Sequence, residues 1–350
     1  MSIATAENTQ IDNINHHPDP LGVSGFEFVE FAAEDASVLH KLFKIMGFTA
    51  IAKHKKFNIT RYRQGDIDFL INEEPDSFAS RFADQHGPCC TGFSLRVNNR
   101  HEAIDYVMER GATQISHSTG TPIDVPMIEG IGGSILYLSD RQTGSLLDDA
   151  FEPFAGVEQN PKGYGLTFVD HLTHNVIDGN MADWADYYTR LFNFYQVKYF
   201  DIKGAQTGLR SQAMTAPSGL ISIPINESSD PKSQINEYID IYNGEGVQHI
   251  ALFSDDIYTT IEAMRAEGVS FLDTPDTYYE VIQERIPEHN EDIARMQKNK
   301  ILLDADPNNQ KMKLLQIFTN TEIGPIFLRS YNVKVIKVSE KVTSKPYSNQ

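Results

Sequence analysis

The sequence predicts an α+β protein in which paired βαβββ modules form two open β-barrels with helices on the outside. Three observations predict this fold. Short segments alternate apolar and polar residues, as half-buried strands do, and other segments carry apolar residues at helical spacing. The same order of elements also recurs in both halves of the 350-residue chain. Sheets and amphipathic helices bury their apolar faces by packing in layers, so repeated modules predict repeated sheets covered by helices.

The first half opens with a predicted strand, GFEFVEF, and an amphipathic helix, SVLHKLFKIMGF. Leu39, Leu42, Phe43 and Met46 share one face of this helix, and Gly47 follows it as a helix-ending glycine would. Three short strands are predicted next. The second half repeats the order with the strand TFVDHLTHNVI, the helix MADWADYYTRLFNF and three further strands. Each half therefore begins with one βαβββ module.

A second strand–helix block follows in each half. The two blocks read CTGFSLRVNNRHEAIDYVMERGATQI and GVQHIALFSDDIYTTIEAMRAEGVSFL. Four modules in two pairs predict two domains, at residues 21–157 and 163–328, separated by the polar stretch FAGVEQNPKGYG. Residues 1–20 are predicted to be a flexible N-terminus. His289 lies in an acidic helical segment and is expected to be exposed.

Composition narrows the class of protein. Asp and Glu number 48 against 30 Lys and Arg, which gives a formal net charge of -18. Such a surface repels phosphate backbones and anionic lipids, so a small molecule is a better partner than nucleic acid or membrane. Cys89 and Cys90 are adjacent, so no disulfide framework is expected. Without a secretory signal pattern or a long apolar run, a cytoplasmic location is predicted.

Two histidines occupy equivalent strands of the second half, His171 in its first strand and His249 in its second block. The first half has Glu27 or a neighbour and Gly92 at these places, which suggests one working site and one structural copy. Two imidazoles and a carboxylate on one face of Fe(II) leave positions for a chelating substrate and dioxygen. Histidines that only pack are the competing interpretation. His174 lies three residues from His171 and should face the opposite side of the strand, as a packing residue.

Seven segments of the second half read, in chain order, VDHLTHNV, RLFNFYQVKYFDIKG, SQAMTAPSGLISIPINE, GEGVQHIAL, FLDTPDTYYE, LLDAD and KLLQIFTNTEIGPIF. Two segments of the first half read GFEFVEF and GFSLRV. Together they resemble the 4-hydroxyphenylpyruvate dioxygenase family over residues 20–327. The resemblance implies the vicinal oxygen chelate fold, in agreement with the repeat.

The resemblance also implies a site in the second half. His171 and His249 would bind Fe(II), and the catalytic amides would be Asn226, Gln248 and Gln316. The substrate-binding residues would be these three amides together with Ser211, Gln234, Phe318 and Phe327. Read without the family, Gln316 lies in an apolar strand, where a buried amide needs a partner that either the backbone or a polar substrate could supply.

The implied reaction converts 4-hydroxyphenylpyruvate, a 2-oxo acid, and dioxygen to homogentisate and carbon dioxide. This step belongs to tyrosine and phenylalanine catabolism, and excess homogentisate forms a melanin pigment. Members of the family are commonly homo-oligomers. A hydroxymandelate synthase-like enzyme, which uses the same substrate and iron, is the nearest alternative.

The third iron ligand implied by the resemblance is missing. The family's last strand ends Gly-Pro-x-Phe-Phe-Glu, whereas this chain reads GPIFLR and has Arg329 at the ligand position. Arginine has no acceptor and cannot bind Fe(II). Residues 327–333 can be encoded as TTT TTG AGA TCA TAC AAC GTA, and one thymine added before this choice of codons gives Phe-Phe-Glu-Ile-Ile-Gln-Arg. A similar choice of codons for the later residues gives a family-like tail. Residues 329–350 are therefore interpreted as an out-of-frame reading. Taken as written, the chain could be a non-catalytic protein.

Overall fold

The computed structural model describes residues 17–203, 208–287, 289–306 and 309–335. Most of the predicted flexible N-terminus, residues 1–16, and most of the predicted out-of-frame tail, residues 336–350, lie outside the described residues. Within the described part, no helix is long and apolar enough to cross a membrane.

Residues of the first half form a nine-stranded mixed sheet. Its first module consists of β1 (Gly25–Ala32), α1 (Ser37–Ile45), β2 (Thr49–His54), β3 (Ile59–Gln64) and β4 (Ile67–Asn72). Helix α2 (Phe78–His86) leads to the second module, which consists of β5 (Cys89–Arg96), α3 (Arg100–Glu109), β6 (Gln114–Ile115), β7 (Met127–Glu129), a 3-10 turn (Ile131–Gly133) and β8 (Ile135–Ser139). The half ends with α4 (Leu146–Ala150) and β9 (Phe151–Pro153). The strand order is β6-β7-β8-β5-β1-β4-β3-β2-β9.

Residues of the second half form an eight-stranded mixed sheet. Its first module consists of β10 (Leu166–Asn175), α5 (Met181–Phe192), β11 (Tyr195–Lys203), β12 (Gly208–Thr215) and β13 (Ser222–Glu227). Helix α6 (Gln234–Tyr242) leads to β14 (Gly246–Ser254), α7 (Ile257–Ala266), α8 (Thr277–Glu280), α9 (Ile282–Arg285), α10 (Ile293–Asn299), β15 (Leu302–Asp306), β16 (Asn309–Phe318) and β17 (Phe327–Val335). The strand order is β11-β12-β13-β10-β14-β17-β16-β15.

The two sheets repeat one pairing plan. In the first, β1 pairs in parallel with β4 and antiparallel with β5. In the second, β10 pairs in parallel with β13 and antiparallel with β14. The second pair of modules adds β8 in parallel to β5 and β17 in parallel to β14. Three modules therefore have the predicted βαβββ order, the fourth adds α8, α9 and α10 between α7 and its three strands, and the central strands of both sheets have the same neighbours.

The helices form where apolar residues recur at helical spacing and where polar side chains cap the ends. Helix α1 buries Leu39, Leu42 and Phe43 against the sheet, as its pattern predicts. The Asn99 side chain accepts hydrogen bonds from the backbone at the start of α3, and Asp256 does the same for α7. One apolar cluster contains core residues of both halves, so the helices and the two sheets share a continuous core.

Three smaller predictions can be compared with the structure. Cys89 and Cys90 are both free and buried, in agreement with the expected lack of a disulfide. The expectation that His289 is exposed was wrong, because its side chain is only 5% exposed. Its Nδ1 accepts a hydrogen bond from the Glu291 backbone and its Nε2 bonds Gln283, local contacts that an acidic composition does not reveal. Strand β17 extends through Val335, past residue 328, where the sequence placed the end of the second domain.

Candidate active site

Three adjacent strands of the second sheet bring the two predicted histidines and Arg329 together. Strand β14 lies between β10 and β17. Its Ala251 pairs with His171 on one side and with Arg329 on the other. Its His249 pairs with Thr173 and with Phe327. Because alternate residues of a strand share a face, His171, His249 and Arg329 lie on the same face of the sheet.

His171 is held by a carboxylate and faces a guanidinium. Its side chain is buried. Its Nδ1 lies 2.6 Å from an Oδ2 oxygen of Asp170, and because a carboxylate accepts, the imidazole N–H donates. The lone pair therefore lies on Nε2, which is 3.3 Å from Nη1 of Arg329. The arginine thus blocks Nε2, which is the nitrogen of this imidazole that could bind a metal ion.

His249 is held in the same manner by an amide. Its Nδ1 lies 2.6 Å from Oε1 of Gln248, and its Nε2 lies 3.0 Å from the Thr173 hydroxyl. Its ring stacks on Phe327 at 4.9 Å between centroids. The rings of His171 and His249 are 5.5 Å apart. The two imidazoles therefore form one cluster, with each Nδ1 bonded to the residue that precedes it in the chain.

Electrostatics keep both imidazoles neutral. Burial lowers the pKa of His171 below its ordinary value against the opposing effect of Asp170, and Arg329 lowers it further. Burial lowers the pKa of His249 strongly, and the neighbouring His171 and Arg329 add to this. Neutral imidazoles are hydrogen-bond acceptors at Nε2, which is the state that ligates metal ions.

Arg329 lies between aromatic rings. Its guanidinium carbon is 5.6 Å from the ring centres of both Phe318 and Tyr331. Burial lowers its pKa, but a guanidinium remains charged in proteins. It forms no ion pair with any carboxylate among the described side chains, and its Nε is buried without a hydrogen-bond partner there. The site therefore contains a positive charge that the described residues leave uncompensated by direct contact.

Two further predicted residues, Gln316 and Phe318, line the same face. They lie on β16, where Gln316 pairs with Tyr331 and Phe318 pairs with Arg329. The Gln316 amide donates a hydrogen bond of 2.6 Å to Asp304. The Phe318 ring meets Phe327 edge to face at 5.7 Å. The structure thus satisfies Gln316 with a carboxylate, which is a third possibility besides backbone and substrate.

The remaining predicted residues lie farther along the sheet. Ser211 pairs with Asn226, which pairs with Asn175 at the end of β10. The Asn226 side chain donates a weak hydrogen bond of 3.4 Å to Asn175. Gln234 is the first residue of α6 and is exposed. Among the described residues, none of these three predicted residues bonds either histidine. Ser211 and Asn226 are neighbours on paired strands, whereas no hydrogen bond within the described part of the chain joins Gln234 to them.

His174 lies on the opposite face of β10, as its spacing from His171 predicts. It is fully buried, and its Nε2 is 2.7 Å from the Tyr188 hydroxyl on α5. Burial lowers its pKa to about 3. It therefore packs as a neutral core residue between the sheet and a helix.

Comparison with known proteins identifies the family. A family model described as hydroxyphenylpyruvate dioxygenase, N-terminal, matches residues 17–152, and a glyoxalase/bleomycin resistance protein/dioxygenase superfamily model matches residues 168–282. The chain is 46% identical over 322 residues to 4-hydroxyphenylpyruvate dioxygenase from Pseudomonas aeruginosa, covering 91% of this chain and 90% of that one. It is 41% identical to the Legionella pneumophila (strain Corby) enzyme of the same name, covering 88% of each. This chain belongs to the 4-hydroxyphenylpyruvate dioxygenase family.

A solved structure is similar across nearly the whole fold. A variant of 4-hydroxymandelate synthase from Streptomyces coelicolor superposes with a TM-score of 0.76 at 20% identity, covering 90% of this chain and 94% of that chain. At this identity the similarity concerns the fold. The predicted vicinal oxygen chelate fold and the predicted family are therefore both confirmed.

The residues at the site do not fit the iron that this dioxygenase family generally uses. His171 and His249 supply two imidazoles, but the position facing both is a guanidinium with no lone pair. Its fixed charge also repels a dication. No group of three or more His, Cys, Asp or Glu side chains suited to a metal ion occurs among the described residues. The part of the written chain that the structure describes therefore lacks the donor set that Fe(II) needs.

In the first sheet of this family member, other residues occupy the positions that correspond to His171, His249 and Arg329 of the second sheet. The registers align Phe28 with His171, Gly92 with His249 and Tyr137 with Arg329. Phe28 and Tyr137 pack ring to ring at 5.1 Å, and the Tyr137 hydroxyl donates to buried Glu30. A Cβ at Gly92 would lie 2.5 Å from a backbone oxygen and 2.9 Å from Tyr137. An imidazole cannot fit there, so this sheet carries a packed copy of the site.

Sequence reasoning missed four residues that contact the site: Asp170, Thr173, Asp304 and Tyr331. Asp170 directly precedes His171, and a carboxylate beside a candidate ligand is a signal that could have found it, because imidazole ligands commonly donate their other N–H to such a group. Tyr331 lies in the segment that the sequence interpretation set aside. Asp304 reaches Gln316 only through the β15–β16 pairing, which no local pattern predicts.

Proposed function

We propose that this protein has the architecture of a 4-hydroxyphenylpyruvate dioxygenase and that its site is built for that aromatic 2-oxo acid. The family's reaction converts 4-hydroxyphenylpyruvate and dioxygen to homogentisate and carbon dioxide. The observation that carries the proposal is the meeting of His171, His249 and position 329 on one face of three adjacent strands. The relatives at 41–46% identity support the same function.

The surrounding side chains support roles in holding the site and the substrate. Asp170 and Gln248 hold the two imidazoles through Nδ1, which leaves Nε2 of His171 against Arg329 and Nε2 of His249 against the Thr173 hydroxyl. Phe318 and Phe327 supply apolar walls for a phenol ring, and Gln316 supplies a polar group beside them. We assign Ser211, Asn226 and Gln234 to substrate binding on the resemblance alone. This assignment does not depend on the geometry of the histidine cluster.

Position 329 determines whether this reaction can occur. With a guanidinium there, the site lacks the carboxylate oxygen that would join the two imidazoles as the third ligand. The chain as written is therefore expected to be inactive. We infer that residues 329–350 are an out-of-frame reading and that the in-frame residue is Glu. Resequencing the gene across the Phe327 codon tests this inference directly. An intact mass that fits 350 residues, together with an unchanged gene sequence, would contradict a sequencing slip.

The proposed activity is tested by product analysis of the Arg329→Glu variant with Fe(II) under air. We expect homogentisate from 4-hydroxyphenylpyruvate in this variant and none from the written chain. The matched control is the Arg329→Glu/His171→Ala double variant, which retains the new carboxylate but loses one imidazole and should form no product. Failure of a folded Arg329→Glu variant to consume the substrate would contradict the proposed function.

The nearest alternative product is 4-hydroxymandelate, which the same assay resolves by chromatography. Homogentisate oxidises to brown pigment, so colour in cells that express the Arg329→Glu variant is a second readout. A cytoplasmic location and a homo-oligomeric assembly, both expected from the sequence, stay predictions. Fractionation of the producing cells and light scattering of the purified chain address them.

A further inference from the structure

We propose that the chain as written binds aromatic 2-oxo acids without a metal ion, with Arg329 as the group that holds the carboxylate. This inference rests on the proposed function for the class of substrate. It goes beyond that function because the site would work as an anion-binding site rather than as a metal centre. The mismatch between the guanidinium and the expected carboxylate is its starting point.

The first argument is the unsatisfied cation. Arg329 donates from Nη1 to Nε2 of His171, so its one hydrogen-bond partner among the described residues is an imidazole and not a carboxylate. Its Nε and Nη2 make no hydrogen bond to any described residue, and Nε is buried. A buried polar group without a hydrogen-bond partner destabilises the folded protein, and more so when the group is charged. An anion at the edge formed by Nε and Nη2 would remove this penalty.

The second argument concerns which anion fits. Neither neighbouring carboxylate forms an ion pair with Arg329 among the described residues: one oxygen of Asp170 accepts from His171 and the other is buried without a partner, and Asp304 accepts from Gln316. A carboxylate presents two oxygens to a guanidinium edge as a parallel pair of charge-assisted bonds. A ligand carboxylate is therefore the group that best complements the charge of Arg329 among the described residues.

The third argument concerns the rest of the ligand. Phe318 and Tyr331 stand beside the guanidinium at 5.6 Å, and Phe327 meets Phe318 edge to face. Phe253 meets Tyr331 edge to face at 5.4 Å. Two rings beside the cation, each packed against a further ring, favour a ligand that joins an aromatic ring to a carboxylate, because ring pairs add to the apolar burial. An aryl 2-oxo acid combines both parts.

Calorimetric titration with 4-hydroxyphenylpyruvate in EDTA tests the inference. We expect one site per chain in the written protein. The Arg329→Met variant should bind at least tenfold more weakly, since charge-assisted hydrogen bonds to the carboxylate are lost. The Arg329→Lys variant should retain part of the affinity, because it keeps the charge but not the two-nitrogen edge. Replacing the ligand carboxylate by methyl, in 4-hydroxyphenylacetone, should weaken binding to the written protein by a similar factor.

The matched control is Arg265→Met. Arg265 also has a buried Nε without a partner and lies over an aromatic ring, that of Phe271, but it is on α7 away from the site. Its replacement should leave affinity unchanged within twofold in a variant that melts cooperatively. Equal binding by the written protein and a folded Arg329→Met variant would overturn the inference, as would binding that requires added Fe(II).

The two proposals can fail separately. Homogentisate from the Arg329→Glu variant, combined with no binding in EDTA by the written protein, would leave the proposed function standing and overturn this inference. Binding in EDTA that depends on Arg329, combined with no product from the Arg329→Glu variant, would support this inference and contradict the dioxygenase function.

Discussion

The charge at position 329 should control the affinity of this site for Fe(II). A metal ion binds an imidazole nitrogen at about 2 Å. Because Nη1 of Arg329 is 3.3 Å from Nε2 of His171, an ion bound there would lie within about 4 Å of the guanidinium charge. Two charges on the ion and one on the arginine then repel by about 8 kcal/mol at an effective dielectric constant of 20.

Only part of this repulsion energy will appear in the measured free energy of Fe(II) binding, because Arg329 can rotate away and solvent can screen the two charges. One quarter of it, about 2 kcal/mol, still weakens binding roughly thirtyfold. The Arg329→Gln variant should therefore bind Fe(II) at least roughly thirtyfold more tightly than the written chain. The Arg329→Glu variant should bind more tightly again, since it adds an anionic oxygen ligand to the two imidazoles.

Anaerobic calorimetric titration of each protein with Fe(II) measures this order of affinities. Arg265→Gln serves as the control, because it removes a comparable guanidinium outside the site and should leave the affinity of the written chain unchanged. Melting curves establish that each variant is folded. If the written chain binds one Fe(II) within threefold of the Arg329→Glu affinity, the electrostatic reasoning is wrong.

Three further predictions concern single hydrogen bonds. Tyr137→Phe removes a 2.7 Å bond to buried Glu30 and should lower the free energy of unfolding by about 1.5–3 kcal/mol, measured in urea. Tyr188→Phe removes the 2.7 Å contact to His174 and should cost about 1–2 kcal/mol, whereas the control Tyr187→Phe, whose hydroxyl bonds at the surface, should cost less. In the Arg329→Glu background, Asp170→Asn should weaken Fe(II) binding about 10–100-fold, and an unchanged affinity would contradict a role for Asp170 in orienting His171.

Much of the fold follows from local sequence. The helix over Ser37–Ile45 and the helix over Met181–Phe192 are set by apolar spacing, and the repeat predicts the βαβββ order of the modules apart from the added helices α8, α9 and α10 of the last one. What local patterns could not predict are pairings between distant segments. The short strand Phe151–Pro153 joins the first sheet by pairing with β2, about a hundred residues earlier in the chain. His289 is a different case, because its contacts with Gln283 and with the Glu291 backbone are local, but an acidic composition does not reveal them.

The site likewise has residues that the sequence predicts and residues that it does not. His171 and His249 were recognisable because they fall on equivalent strands of a repeat. Their partners were less so, because the Asp170 and Gln248 contacts depend on side-chain rotamers. The contribution of Tyr331 could not be predicted at all once the residues after Leu328 had been set aside. Their β-branched and aromatic content is nevertheless compatible with a strand, and β17 continues through them.

The two sheets of this family member lack a metal site for different physical reasons, and the difference determines what a single substitution can restore. In the first sheet, Gly92 has no room for a Cβ and the centre is filled by the rings of Phe28 and Tyr137. Building a site there would require several changes and repacking of a buried core. In the second sheet, His171 and His249 keep their orienting partners, and the mismatch is confined to one side chain. One substitution at position 329 should therefore be sufficient to complete the donor set, whereas Gly92→His in the first sheet should only destabilise the protein.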